Sequence, residues 1–261
     1  MKIGVFDSGL GGLVTERAFM AKLPQYDYVY YGDSAHLPYG DKTSDQILTY
    51  TLDAVRFLIQ RNCKLIVLAC NTASCVALRH IQQQFLPNNF PDIKVLGVIV
   101  PTVEQALTYS HTNVGVVATP ATIQSDIYNV ELKKLMPNIH VTSVATPELV
   151  PALEQNNFNL AQHIISTYAP KLENIQSLIL GCTHYPLVKS LFQKALPNTH
   201  IISQDDFMGD KLANYLSRHP EIKQCLTTTA SQEFWVSQRN AQAENIAKMI
   251  FPNIDLQIQI L

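Results

Sequence analysis

The sequence predicts an α/β fold in which two related halves, each a parallel sheet with helices on both faces, border a shared cleft. First, short apolar segments of strand length alternate with helix-like segments along the whole chain, as in doubly wound sheets. Second, the segment around Gly4 (IGVFDS) resembles the segment around Gly115 (VGVVAT), 111 residues later. Third, Cys70 and Cys182 end similar apolar runs and lie 112 residues apart. Two matches at nearly one offset indicate a structural repeat about a pseudo-two-fold axis.

The strand candidates are mostly apolar runs of three to six residues that end at polar or turn-forming residues. In chain order they are Lys2–Phe6, Tyr28–Tyr31, Leu65–Ala69, Val95–Val100, Val114–Ala118, His140–Val144, Leu178–Gly181 and His200–Ile202. Helix candidates fill the gaps between them, for example Ser44–Arg61, Ala73–Phe85 and Ile123–Leu135. Near the end of the chain, Ile254–Ile260 alternates apolar and polar residues, which is typical of a half-exposed edge strand.

The repeat predicts two domains, the first of which is discontinuous. Residues 1–97 together with 207–261 are expected to form the domain that carries Asp7 and Cys70. Residues 98–206 are expected to form the second domain, which carries Cys182 and His184. The C-terminal segment is expected to return to the first domain.

Composition excludes several classes of function. The chain has 261 residues, 47% of them hydrophobic, so it can bury a substantial core. The net charge is −2 and no run of Lys or Arg is present, so we expect no nucleic-acid partner. The apolar runs are too short to span a membrane. Five cysteines without framework spacing favour a reduced protein, and we expect a cytoplasmic location.

The two cysteine segments carry the strongest functional signal. One reads KLIVLACNTA and ends in Cys70-Asn71-Thr72; the other reads SLILGCTHYP and includes Cys182 and His184. Because ligands bind at the carboxyl ends of strands in open α/β sheets, both sulfurs are predicted to lie near a ligand. Two thiols on opposite sides of one ligand suit a reaction that needs one acid and one base. A helix beginning after either sulfur would also offer free N–H groups to a carboxylate.

Two further motifs surround these strands. Asp7 ends the first strand candidate and begins the glycine-rich segment DSGLGG, which lacks the Lys-Ser/Thr of a phosphate-binding loop. The alternative reading of Asp7 is a carboxylate that caps a turn. Tyr39-Gly40 lies in a loop rich in Gly and Pro, where it offers a hydroxyl and two backbone amides or forms an ordinary turn.

Three other functions are compatible with these residues. Cys70, Cys182 and His184 are a candidate zinc-ligand set, although no CxxC or HExxH motif accompanies them. Cys182 and His184 are a candidate nucleophile and base of a Cys-dependent amidohydrolase. Side chains two residues apart do not readily face each other, which counts against that pair. A non-catalytic amino-acid-binding module is the third alternative.

Four segments together resemble the motifs of bacterial glutamate racemases, in order along nearly the whole chain. They are Gly4–Gly12, Gly32–Gly40, Ala69–Ser74 and Leu180–Pro186. The resemblance implies two flavodoxin-like domains with the substrate between them. It also implies a cofactor-independent isomerase of the aspartate/glutamate racemase superfamily that supplies D-glutamate for peptidoglycan synthesis. A racemase of aspartate or another small acidic amino acid is the alternative within that superfamily, and a homodimer is a candidate assembly.

The same resemblance implies roles for individual residues. Cys70 and Cys182 correspond to the two catalytic acid/bases, with Cys70 acting on D-glutamate and Cys182 on L-glutamate. Asp7 is expected to assist near Cys70 and the substrate ammonium, and His184 near Cys182. Glu154 corresponds to an acidic residue that supports the histidine, although a surface glutamate is its other reading. The residues that match the substrate-binding pairs are Asp7 and Ser8, Tyr39 and Gly40, Asn71 and Thr72, and Thr183 and His184.

The chain departs from the family pattern at three places. His36 stands where arginine is common. Residues 203–206, Ser-Gln-Asp-Asp, replace a usual Asp-Ser-small segment, so the sequence leaves the role of this strand end open. The first strand candidate begins at Lys2, without the N-terminal extension of family members that a peptidoglycan precursor activates. We therefore do not expect that regulation.

Overall fold

Two parallel sheets make up the framework of the computed structural model, which describes residues 1–238, 241–252 and 258–260. The strands are β1 (Lys2–Asp7), β2 (Tyr28–Gly32), β3 (Cys63–Leu68), β4 (Lys94–Gly97), β5 (Asn113–Ala118), β6 (His140–Ala145), β7 (Ser177–Gly181), β8 (His200–Ile202), β9 (Gln232–Val236) and β10 (Ile258–Ile260). The order is β10-β9-β2-β1-β3-β4 in the first sheet and β6-β5-β7-β8 in the second.

Helices connect the strands. They are α1 (Leu13–Lys22), α2 (Ser44–Gln60), α3 (Asn71–His80), α4 (Leu86–Asn89), α5 (Ile99–Ala106), α6 (Pro120–Gln124), α7 (Ile127–Leu135), α8 (Leu149–Glu154), α9 (Phe158–Tyr168), α10 (Lys189–Ala195), α11 (Met208–Arg218), α12 (Pro220–Lys223) and α13 (Ala241–Ile250). The longest, α2, begins with a capping box in which Thr43 and Gln46 satisfy each other's backbone N–H groups. None of the helices in the described ranges is long and apolar enough to cross a membrane.

The strand order repeats between the two sheets. The block β2-β1-β3-β4 of the first sheet has the same order as β6-β5-β7-β8 of the second, and every strand pair is parallel. This is the order of the first four strands of a flavodoxin-like sheet. The predicted repeat is therefore confirmed: β1 corresponds to β5, and the strands that precede the two cysteines, β3 and β7, correspond to each other.

The C-terminal segment contributes strands to the first sheet. Strand β9 pairs with β2, and β10 pairs with β9 to become the outermost described strand. Of the predicted edge strand, residues 254–257 lie outside the described residues, and Ile258–Ile260 forms β10. The division into domains at residues 97/98 and 206/207 stays a prediction.

Three predicted elements have different bounds. The strand predicted over Val95–Val100 ends at Gly97, and α5 begins at Ile99 because Pro101 fits the first turn of a helix. The helix predicted over Ile123–Leu135 is two helices, since Asp126 adopts a left-handed conformation with φ of 55°. The helix predicted from Ala73 begins two residues earlier, at Asn71, and its last part, Ile81–Phe85, is a π-turn.

A shared core joins the sheets. Ile3 and Val5 point to one face of β1 and Phe6 points to the other, and all three are fully buried. Because successive strand residues face opposite sides, burial of both sets means that helices cover both faces of the sheet. The apolar cluster that contains Ile3 and Val5 also contains Val114 and Val116 of β5. One continuous core therefore fixes the two sheets, and the strand ends that carry the site, relative to each other.

Candidate active site

The carboxyl ends of β1, β3 and β7 meet at one narrow cavity of about 40 Å³. Both Cys70 and Cys182 line it, one from each sheet. The other predicted site residues in its lining are Ser8, Tyr39, Gly40, Asn71, Thr72, Thr183 and His184. Asp7 and Glu154 lie directly behind Thr183 and His184, which they contact. The sequence-predicted residues are thus brought together. A larger cavity of about 430 Å³ contains none of them.

Cys70 caps the helix that follows β3. Its Sγ accepts a hydrogen bond from the Ala73 N–H at 3.4 Å and donates to Ser8 Oγ at 3.5 Å. Burial and the nearby Asp7 carboxylate raise the pKa of the Cys70 thiol to about 12, although the Ala73 N–H and Ser8 oppose that shift. Cys70 is therefore a protonated thiol at neutral pH.

Cys182 lies beside an imidazole. Its Sγ is 3.9 Å from His184 Nδ1, and His184 Nε2 is 3.4 Å from Glu154 Oε1. The distance from Nε2 to Glu154 is short enough for an ion pair, but its geometry does not meet that of a hydrogen bond. Within the described residues, Nε2 therefore forms no hydrogen bond. Burial would lower the pKa of His184, but contact with Cys182 and Glu154 outweighs it and raises that pKa well above the usual range. An imidazolium therefore faces the Cys182 sulfur.

The expectation that Cys182 and His184 do not face each other is wrong. The Tyr185 N–H donates to the Cys182 carbonyl at 3.1 Å and closes a tight turn at the end of β7. This turn brings the side chain at His184 back toward the sulfur, which neither regular strand nor helix geometry would do.

Asp7 links the two sheets. Its Oδ2 accepts hydrogen bonds from the N–H groups of Gly9 and Gly12, at 3.1 and 3.0 Å, and its Oδ1 accepts from Thr183 Oγ1 at 3.1 Å. Burial raises the pKa of Asp7, while the charge of His184 most strongly opposes that rise. A Cβ atom on Gly11 would lie 2.7 Å from Thr183 Oγ1. The loop after β1 therefore needs glycine to reach the second sheet.

The Tyr39 hydroxyl is not directed to the cavity. It donates to Asp33 Oδ2 at 2.7 Å, and this buried carboxylate is also 2.9 Å from His36 Nδ1. His36 in turn stacks on Tyr50, with the ring centroids 3.9 Å apart. Tyr39 and Gly40 line the cavity, and because the phenol proton is donated to Asp33, the phenol oxygen can offer a ligand only an acceptor.

Among the residues that sequence reasoning missed are one polar residue in the cavity wall and one directly behind it. Thr119 lines the cavity, and its Oγ1 is 2.9 Å from Thr72 Oγ1. The repeat could have found it, because Thr119 follows β5 as Ser8 follows β1. The other is Gln204, whose Nε2 donates to Asn71 Oδ1 at 3.0 Å. The role of residues 203–206, which the sequence left open, thus includes a contact with Asn71, and no sequence signal marked this pairing.

Comparison with known proteins identifies the family. The sequence profile of the Asp/Glu/Hydantoin racemase family matches residues 14–205. The chain belongs to this family. A glutamate racemase of Ruegeria pomeroyi is 41% identical over 240 residues, which are 85% of this chain and 88% of the relative. The resemblance stated from the motifs is thereby confirmed.

Solved structures of racemases share the whole fold. Glutamate racemase isoform RacE1 of Bacillus anthracis matches with a TM-score of 0.89 and 30% identity, over 100% of this chain and 97% of the other. The Francisella tularensis glutamate racemase, solved in complex with D-glutamate, matches with a TM-score of 0.88 and 32% identity over the same shares. The two-domain racemase fold is therefore that of this chain.

The described side chains offer no ready metal site. Across residues 1–238 and the other described ranges, no three His, Cys, Asp or Glu side chains converge as a metal-binding group. The zinc arrangement of Cys70, Cys182 and His184 is thus unsupported by the geometry of this racemase.

Proposed function

We propose that the protein interconverts L- and D-glutamate by a two-base mechanism without a cofactor. The observation that carries the proposal is that Cys70 and Cys182, from equivalent strand ends of two sheets, line one cavity. The 41% identical relative from Ruegeria pomeroyi is named a glutamate racemase, and the Francisella tularensis relative binds D-glutamate. Both support glutamate rather than aspartate as the substrate.

The two thiols exchange the roles of acid and base with the direction of reaction. For L-glutamate, the Cys182 thiolate removes the α-proton, and the Cys70 thiol delivers its proton to the opposite face of the carbanion. For D-glutamate, Cys70 is the base and Cys182 the acid. The raised pKa of Cys70 favours the first arrangement, in which Cys70 is the acid. The His184 imidazole, whose pKa is raised by contact with Cys182 and then with Glu154, lies 3.9 Å from the Cys182 sulfur and is the nearest cationic group to it in this arrangement.

Fixed hydrogen-bond donors stabilise the developing negative charge. The first turn of α3, with Asn71 and Thr72, offers N–H groups to a substrate carboxylate, and Ser8 offers a hydroxyl. Asp7 is the counter-charge for the substrate ammonium. Because the cavity is narrow and both sulfurs are buried, such preorganised donors stabilise charge more than they would in solution. Tyr39 and Gly40 form part of the cavity wall.

The same proposal includes a biological role. The product D-glutamate would be used for peptidoglycan synthesis and cell-wall construction, in the cytoplasm. A homodimer is the assembly we propose, and glutamate, whose D-enantiomer the Francisella tularensis relative binds, is the small-molecule partner.

One observation favours a second function. The 3.9 Å contact between Cys182 Sγ and His184 Nδ1 suits the nucleophile and base of a Cys-dependent amidohydrolase. That function leaves Cys70 without a role, and it predicts that Cys182→Ala abolishes hydrolysis of an amide such as glutamine while Cys70→Ala preserves it.

A single isotope experiment tests the proposal. Each enantiomer of glutamate is incubated with the protein in deuterated water without cofactor, and α-proton loss is followed by NMR and optical activity by circular dichroism. We expect racemisation with deuterium uptake and a bell-shaped dependence of turnover on pH, since one thiol must be charged and the other neutral. Absence of exchange with both enantiomers would refute the function.

Single-cysteine variants test the two bases. Cys70→Ala and Cys182→Ala should each lower racemisation by at least about 100-fold, because each removes a general acid or base. Cys70→Ala should still exchange the α-proton of L-glutamate without inversion, and Cys182→Ala that of D-glutamate. The matched control is Cys75→Ala on α3, which should racemise like the unmodified protein. Near-normal racemisation by either active-site variant would show that its sulfur is dispensable.

A further inference from the structure

Gln204 is a buried amide that reaches across the two sheets. It lies in the short turn Gln204–Asp206 after β8, and only 1% of its surface is exposed. Its Nε2 donates to Asn71 Oδ1 at 3.0 Å and to Thr102 Oγ1 at 3.3 Å, while its Oε1 accepts from Asn71 Nδ2 at 3.5 Å. The amide therefore joins the end of β8 to the first residue of α3 and to α5.

Asn71 is held in one orientation by these contacts. Its Oδ1 accepts a second hydrogen bond, from the Tyr128 hydroxyl at 2.6 Å. A side-chain amide oxygen has two lone pairs, so Tyr128 and Gln204 together use its acceptor capacity. An amide turned by 180° would place an NH₂ group against both donors. The asparagine is therefore fixed by two residues that lie on the side of the second sheet.

The orientation matters because of where Asn71 lies. It follows Cys70 directly and begins α3, whose Ala73 N–H donates to the Cys70 sulfur. Among the described residues, Asn71 lines the cavity and Gln204 does not. Among its hydrogen-bond partners, Asn71 is therefore the one that connects Gln204 to the cavity and to the helix start that carries Cys70.

We propose that Gln204 is a positioning residue for racemisation, which holds the Asn71 amide so that the first turn of α3, with Cys70, stays aligned with the second sheet. This inference rests on the proposed function. Cys182 and Thr183 belong to the second sheet, so a substrate that bridges the cavity senses any shift of α3 relative to that sheet. Buried hydrogen bonds in a low-dielectric interior are well suited to enforce such alignment.

Two substitutions of Gln204 test the proposal. Gln204→Met keeps the length of the side chain but removes the donor and the acceptor. We expect kcat/KM to fall about tenfold in both directions, which is the rate equivalent of one lost hydrogen bond of about 1.4 kcal/mol. The two directions must change together, because the enantiomers have equal free energy and their kcat/KM values are therefore tied.

Gln204→Glu supplies a readout that depends on pH. When ionised, the carboxylate cannot donate to Asn71 Oδ1 and repels it, so activity should be lower than in Gln204→Met. When protonated, the carboxylic acid can donate again, and activity relative to the unmodified protein should recover as pH falls. Burial raises the pKa of a carboxyl group, so the recovery should begin above the ordinary titration range of glutamate.

The matched control is Ser177→Ala. Ser177 lies at the start of β7, far from the cavity end of that strand, and its hydroxyl accepts a buried hydrogen bond from Ser110 at 2.5 Å. Losing this bond should lower the melting temperature without changing KM or kcat. If Gln204 has only a structural role, Gln204→Met will behave like Ser177→Ala and Gln204→Glu will show no acid recovery.

These measurements also distinguish failure of the proposed racemase function from failure of the role assigned to Gln204. Absence of racemisation by the unmodified protein would overturn the proposed function and this proposal with it. Normal racemisation by the unmodified protein together with unchanged kcat/KM in Gln204→Met would overturn only the role of Gln204.

Discussion

Glu16 brings a carboxyl group into the apolar core beneath the first sheet. It lies on α1, is fully buried, and neither of its oxygens has a hydrogen-bond partner in the described part of the chain. The nearby phenols of Tyr28 and Tyr30 donate instead to the carbonyls of Leu23 and Gly9. Burial raises the pKa of Glu16 well above its ordinary value of 4.5, so the folded protein holds it as a neutral acid. A buried carboxyl group without a hydrogen-bond partner lowers the free energy of unfolding.

Glu16→Leu should therefore stabilise the protein. Removing an unpaired buried polar group in favour of an apolar side chain of similar size should raise the free energy of unfolding by about 1–3 kcal/mol. The folded state keeps a proton that the unfolded state releases above pH 4.5, so the stability of the unmodified protein falls as pH rises toward the folded pKa. The gain from leucine should thus grow with pH across that window, as measured by urea unfolding.

Glu16→Gln is the control for this effect. It cannot ionise, so it should remove the pH-dependent part of the difference, but it retains an unpaired amide and should stabilise less than leucine. An unchanged or lower stability of Glu16→Leu at alkaline pH would contradict the account of a buried, unpaired acid.

At the scale of elements, the loop after β1 depends on a close approach that only glycine allows. This loop carries Asp7 at its start and Gly11 against the second sheet. A Cβ on Gly11 would lie 2.7 Å from Thr183 Oγ1 and 2.8 Å from His184 Nδ1. The loop after β1 can therefore pack against the turn after β7 only because residue 11 has no side chain.

Gly11→Ala should impair catalysis more than stability. The methyl group must displace either the loop or Thr183 and His184, which breaks the bond from Thr183 to Asp7. A displacement of about 1 Å in an active site costs about 100-fold in rate, and we expect a loss of that order in kcat/KM. The control is Gly115→Ala on β5, where a Cβ would meet the ends of the Ile175 and Leu178 side chains. It should lower the melting temperature and leave kcat/KM intact; the reverse pattern would contradict this assignment.

The elements also show what could be predicted from the sequence. Strand candidates were found because a buried parallel strand is a short apolar run, and that pattern is local. The break at Asp126 was missed, because a left-handed residue between two amphipathic helices leaves the apolar periodicity nearly intact. The resemblance implies that His184 lies near Cys182, whereas residue spacing argues against it, because the contact depends on a turn closed through the backbone of Tyr185.

At the scale of the whole molecule, the repeat explains why two thiols can share one cavity. The carboxyl ends of β3 and β7 correspond in the two sheets, and a common core fixes those sheets relative to each other. Matching offsets along the chain revealed this relation. Contacts such as Gln204 with Asn71 join residues 133 positions apart, and neither residue type nor spacing indicates them. The general site was therefore predictable, whereas the contacts that align its two halves needed the structure.

A ligand held by both halves should stabilise them as one unit. In the double variant Cys70→Ala/Cys182→Ala, turnover is removed and binding can be measured alone. Both L- and D-glutamate should raise the melting temperature of a single transition, with a stabilisation of about 2.7 kcal/mol at a ligand concentration of 100 Kd. Alanine, which lacks the side-chain carboxylate, should have little effect at the same concentration.

The two sides of the cavity already contact each other without the ligand, through Thr72 with Thr119 and through Asp7 with Thr183. A ligand between the thiols therefore adds to existing contacts, and a single transition is expected. Two separate transitions, of which glutamate shifts only one, would mean that the ligand occupies one half and that the cavity between the thiols is not its site.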